Sequence, residues 1–124
     1  DSKLQQVVKL VGADVLPEKQ RLILETANLF KNGFLQQSAF DENDMYASVE
    51  KQVKMLRIIV TFYHLAKETI DKGAALLKIK RMKTLDSVSR MKLNVSNEEV
   101  EKLDKLLKKM KKEFRRMGEI YERL

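Results

Sequence analysis

Apolar residues recur along this chain at intervals of three and four, with polar residues between them, and that period predicts helices almost throughout. Leu4, Val7, Val8 and Val11 stand at i, i+3, i+4, i+7, which predicts a first helix over residues 2–11 ended by Gly12. The connector "GADVLP" follows, and Pro17 sits where a first helical residue tolerates a missing N–H. In the second helix Ile23, Ala27, Phe30 and Phe34 form one stripe, which stops near Gly33. A third helix is predicted from about Met45 to Lys72. It has one stripe at Val49, Val53, Leu56, Val60 and Tyr63, and another at Met55, Ile59, Phe62, Ala66 and Ile70. Two stripes imply burial on two sides, between neighbouring helices.

Gly73 closes that helix, and two shorter pieces follow, "AALLKIKRM" and "TLDSVSRMKL", the latter with Thr84 or Asp86 as its expected cap. The last helix begins at a capping box, Ser96 with Glu99 three residues on. Its apolar residues, Val100, Leu103, Leu107, Met110, Phe114, Met117, Tyr121 and Leu124, alternate three and four apart. This is a heptad seam, facing either the third helix or another subunit. Gly118 interrupts it and is expected to let the last turn or two fray in the absence of a partner. The fold expected is all-α, a bundle of about five to six helices with a long C-terminal helix, and residues 1–124 form a single domain.

The 124 residues are 44% hydrophobic, enough for one core. The absence of cysteine excludes disulfides and thiolate metal sites and fits a reducing, cytoplasmic compartment. No apolar run approaches a membrane span and no leader opens the chain, so a protein without membrane insertion is expected. It starts at Asp1 rather than Met, which points to a fragment or a processed product.

A net charge of +7 would suit an acidic partner or nucleic acid. In "EKLDKLLKKMKKEFRR", however, bases alternate with acids and no aromatic platform lies among them, so solvated helix faces are expected and no nucleic acid.

Catalytic groupings are absent. There is no GxxxxGK[ST], GxGxxG or HExxH, and His64 is the single histidine, read as a partly buried structural residue. Asp41, Glu42 and Asp44 read as helix N-terminal acids rather than as an acid/base pair. No catalytic or metal-binding residue is assigned.

One connection carries unusual chemistry. In "FLQQSAFDENDMY", residues 34–46, aromatic, glutamine and small residues stand where a solvated loop would carry Gly, Pro and Ser. From Leu10 to Gly73, and more weakly in "MKLNVSNEEVEKLDKL", the chain resembles the C-terminal region of the catalytic A (alpha) subunit of archaeal-type and vacuolar-type rotary ATP synthases and ATPases. The motif Phe34-Leu35-Gln36-Gln37-x-Ala39-Phe40-Asp41 carries that resemblance in combination.

The resemblance implies the helical bundle of a larger subunit that makes or hydrolyses ATP, with Mg and the P-loop elsewhere, coupled to proton or sodium transport. Phe40 would pack on the adenine of ATP or ADP, Ala39 would leave room for it, and Gln36 and Gln37 would be polar neighbours; Phe34 is read as core. Residues Ala13, Asp14, Val15, Leu16, Pro17 and Glu18 would face the central stalk, by steric contact more than by charge, since only Asp14 and Glu18 are acidic. Ala47 departs from relatives with cysteine there. The implied partners are the central stalk subunits and the B subunit. The implied location is the cytoplasmic head, peripheral to the membrane. The fragment alone, without a P-loop, is expected neither to catalyse nor to hold nucleotide tightly. The competing expectation is a free-standing helical adaptor that binds an acidic protein through its heptad seam and basic face.

Overall fold

The computed structural model describes residues 17–35 and 47–122. Among them are five α-helices: α1 (Glu18–Phe30), α2 (Val49–Asp71), α3 (Leu76–Lys80), α4 (Lys83–Asn94) and α5 (Glu101–Glu122). A π-turn, Lys31–Leu35, extends α1, and a 3-10 turn, Asn97–Glu99, leads into α5. No strand occurs among the described residues. The predicted helix over residues 2–11, with Gly12, lies outside them.

The centre is α2, on which α1, α4 and α5 pack. Met55, Ile59, Phe62 and Ala66, the second stripe read from the sequence, are buried there with Ile58. Phe62 meets Phe114 of α5 with ring centroids 5.9 Å apart. The heptad seam is therefore satisfied within the chain, with Leu103, Met110 and Phe114 buried and Leu107 and Met117 packed around them. A Lys54–Asp104 ion pair at 2.8 Å fixes the register of α2 on α5 from the solvent side.

Several expectations are corrected. Only one stripe of α2 is buried; Val49, Val53, Leu56 and Val60 are exposed, Val49 by 77%, because the described helices all pack on the other side. Helix α2 starts at Val49 rather than Met45, capped by Ser48, whose Oγ accepts from Lys51 N at 3.1 Å. Pro17 precedes α1 with an extended ψ of 146° instead of opening it.

In α1 the buried residues are Leu22 and Leu29, while Ile23 and Ala27 are exposed. The inward face is the one carrying Leu22 and Leu29, seven residues apart, and the wider i→i+5 closure of the π-turn breaks the 3.6 period only beyond Phe30, where Phe34 appeared to continue the stripe. His64 is exposed, edge-on to Tyr63 with centroids 5.7 Å apart, rather than partly buried.

The three described glycines do different work. Gly73 has φ 110° and ends α2 in a Schellman arrangement, Gly73 N donating to Ile70 O at 2.9 Å and Ala74 N to Thr69 O at 3.2 Å. Gly33 does not stop a helix. It lets the π-turn touch α4, since a Cβ there would lie 3.0 Å from Val88 O. Gly118 sits inside a continuous α5, where the Lys72 side chain passes over it to reach Glu122 at 2.9 Å, so the helix holds its geometry through Glu122 instead of breaking there.

Candidate functional site

Gln36, Gln37, Ala39 and Phe40, with Asp41, Glu42 and Asp44, lie outside the described residues, as do Ala13, Asp14, Val15 and Leu16. The residues on either side of 36–46 are described, and they form a frame that local chemistry explains.

On the upstream side, Phe30 and Phe34 stack with centroids 5.1 Å apart and planes 15° from parallel. Both pack against the core, as expected for Phe34. Gly33 then presses the π-turn onto the α4 backbone at Val88 and Ser89.

The downstream side is held by polar contacts. Ser48 N donates to Asn97 Oδ1 at 2.8 Å, which ties the start of α2 to the turn before α5. Gln52 Nε2 donates to Ala47 O at 2.8 Å. Lys51 is fully buried, and its Nζ donates to Lys92 O at 2.7 Å, near the C-terminal end of α4, where carbonyls lack helical partners. A cation at a helix C-terminus also complements the dipole. Both flanks of residues 36–46 are thus fastened to α4, one by backbone contact at Val88 and the other by a buried ammonium at Lys92.

Helix α4 is itself held at its N-terminus, but not by Thr84 or Asp86. Met82 occupies the cap position without a side-chain hydrogen bond. Glu113 of α5 takes that part, accepting from Lys83 N at 2.8 Å, Thr84 N at 3.0 Å and Thr84 Oγ1 at 2.6 Å. Burial pushes the Glu113 carboxyl up, and these hydrogen bonds outweigh it, leaving the group below its ordinary value. The capping box at Ser96 and Glu99 is present, as read from the sequence. Hydrogen bonds from Lys102 and from Ser96 lower Glu99 to about 2.

Of residues 13–18 the described ones are Pro17, which is exposed, and Glu18, which is half-buried. The Glu18 carboxylate is turned into the bundle, where Oε2 accepts from Leu76 N, at the first residue of α3, at 2.6 Å, and Oε1 pairs with Arg21 at 3.2 Å. No group of three or more metal-ligating side chains occurs among the described residues, and no described helix is long and apolar enough to cross a membrane. The described residues of the frame hold the two flanks of residues 36–46 in place. Sequence reading missed Lys51 and Glu113, because a lysine or glutamate on a charged helix gives no local sign of a partner distant in sequence.

Residues 1–80 match the family model of the C-terminal domain of V and A type ATP synthase. The chain is 41% identical over 119 residues to the A-type ATP synthase A subunit of Methanopyrus kandleri, covering 96% of this chain and 20% of that protein. It is 41% identical over 122 residues to the V-type ATP synthase alpha chain of Halothermothrix orenii, covering 98% and 21%. With the corresponding A-type ATP synthase chain of Hyperthermus butylicus it shares 46% over 109 residues, covering 86% and 18%. The chain thus spans about a fifth of the length of these relatives. A bundle whose heptad seam is used internally, matched over most of its length to one domain of such subunits, belongs to the family of V- and A-type ATP synthase C-terminal domains.

Proposed function

We propose that this bundle covers the adenine side of the nucleotide site in the catalytic subunit of a rotary ATP synthase or ATPase and relays closure of that site to the central stalk. The free-standing adaptor reading loses its basis, because α2 and α4 occupy the seam it would have used.

The observation that carries the proposal is that the described residues on both sides of 36–46 are held on α4, Gly33 against Val88 and Lys51 by its hydrogen bond to Lys92 O. With both flanks held on a packed helix, motion of the bundle would carry the stretch between them and open or close whatever it covers. Phe40 would then supply a flat apolar face for the purine, beside Ala39, with Gln36 and Gln37 as polar neighbours. The phosphates, Mg and the hydrolytic chemistry fall to the rest of the subunit, since no P-loop occurs in these 124 residues. Residues 13–18 would meet the central stalk, with Glu18 anchoring that segment to α3. The B subunit would be the neighbour in the head, peripheral to the membrane, in an assembly that couples ATP to proton or sodium movement.

In the intact subunit, Phe40→Ala should weaken nucleotide binding by roughly 1–3 kcal/mol, the range for base stacking on an aromatic ring, and leave the bundle folded. Unchanged affinity would remove the adenine role. A Gly-Ser replacement of residues 13–18 should spare binding and impair torque, and normal rotation would remove the stalk role.

A further inference from the structure

A second surface lies between α4 and α5 and does not depend on the nucleotide reading. Helices α4 and α5 line a groove of 480 Å³ there. Its floor is apolar, made by half-buried Leu106 beside Met91 and Val95, which are 1% and 8% exposed, and its rim carries Lys102, Lys105 and Lys109. An adjoining cleft of 390 Å³ shares Lys109 and continues the rim through Lys112 and Arg116.

Lys105, Lys109, Lys112 and Arg116 are spaced 4-3-4, which places them on one stripe about 16 Å long at 1.5 Å per residue. None of these four has an ion-pair partner among the described residues. The acid in this rim, Glu113, is already committed to the N-terminus of α4.

We infer that the α4–α5 groove docks an acidic amphipathic helix of a protein partner, its apolar stripe on Leu106 and its carboxylates against Lys105, Lys109, Lys112 and Arg116. Charge complementarity selects an acidic occupant. The helical spacing of the cations matches carboxylates at i, i+4 and i+7 on a facing helix. A nucleic-acid duplex would leave the apolar floor unused, and no aromatic side chain lines either cleft to stack a base. A flat anionic bilayer does not enter a concave groove.

The test uses the 124-residue chain and a synthetic helical peptide of about 20 residues, with Glu at i, i+4, i+7, i+11 beside a leucine stripe. Controls are a scrambled peptide of the same composition, a DNA duplex and phosphatidylglycerol vesicles. The patterned peptide is expected to shift the NMR signals of the Met91 methyl and of amides 102–116, and to bind about tenfold more weakly to the K105E/K109E variant, as expected for two reversed surface pairs. Both substituted residues are exposed, so the variant should melt as the wild type does, and its melting curve verifies this. Equal binding of the scrambled peptide, shifts confined to other helices, or tighter binding of duplex or vesicles than of the patterned peptide would each overturn the inference.

Discussion

The buried ammonium of Lys51 and the carbonyl oxygen of Lys92, 2.7 Å apart, join the first turn of α2 to the last turn of α4. This contact closes the downstream end of the frame around residues 36–46. Lys51→Ala should cost about 2–4 kcal/mol, from the vacated volume and the loss of a buried charge-assisted hydrogen bond. Lys51→Met fills the space without the donor and should cost less than Lys51→Ala. Denaturant unfolding of both variants checks the order; a smaller cost for alanine would contradict the packing of this residue.

The glycines of the frame separate cleanly by what surrounds them. At Gly33 an added methyl would face the Val88 carbonyl at 3.0 Å, backbone that cannot swing away, so Gly33→Ala should destabilise by roughly 1–3 kcal/mol despite the better helix propensity of alanine. At Gly118 the obstacle is the flexible tip of Lys72 at 3.1 Å. Gly118→Ala should therefore be neutral or stabilising by up to about 1 kcal/mol, since the exposed Lys72–Glu122 pair contributes little. Thermal melts of the two variants should move in opposite directions, or only the first should move.

Acid should loosen the α4–α5 junction through two carboxylates. Glu99 is held at about 2 against an ordinary 4.5, and Glu113 also lies below its ordinary value. The unfolded chain takes up these protons at higher pH than the folded one. The stability the two groups contribute is complete above the ordinary glutamate value and is lost as pH falls through the folded values. A Glu99→Gln/Glu113→Gln double variant should be less stable near neutrality and should lose less stability than the wild type between pH 4.5 and about 2. Parallel acid profiles for the two proteins would contradict this account.

Glu113 also shows which parts of the fold local sequence can reveal. Helix existence, the Gly73 stop, the Ser96–Glu99 box and the α5 seam all arise from periodicity or capping within a few residues, and all were legible. The cap of α4 was not, because its carboxylate comes from a residue 29 positions from Thr84. The stripe on α1 was misread where Phe34 appeared to continue it, because a π-turn breaks the period between Phe30 and Phe34. The burial of Lys51 was invisible for a different reason. A lysine in a mixed helix resembles a solvated one until α4 covers it.

The central claim is that residues 36–40 meet the adenine. Photolabelling the intact subunit with 2-azido-ATP, followed by peptide mapping of the modified residue, tests it most directly. The label is expected within residues 36–40 of this chain, suppressed by excess ATP and unaffected by K105E/K109E. An ATP-protected label found only outside the bundle would contradict the account.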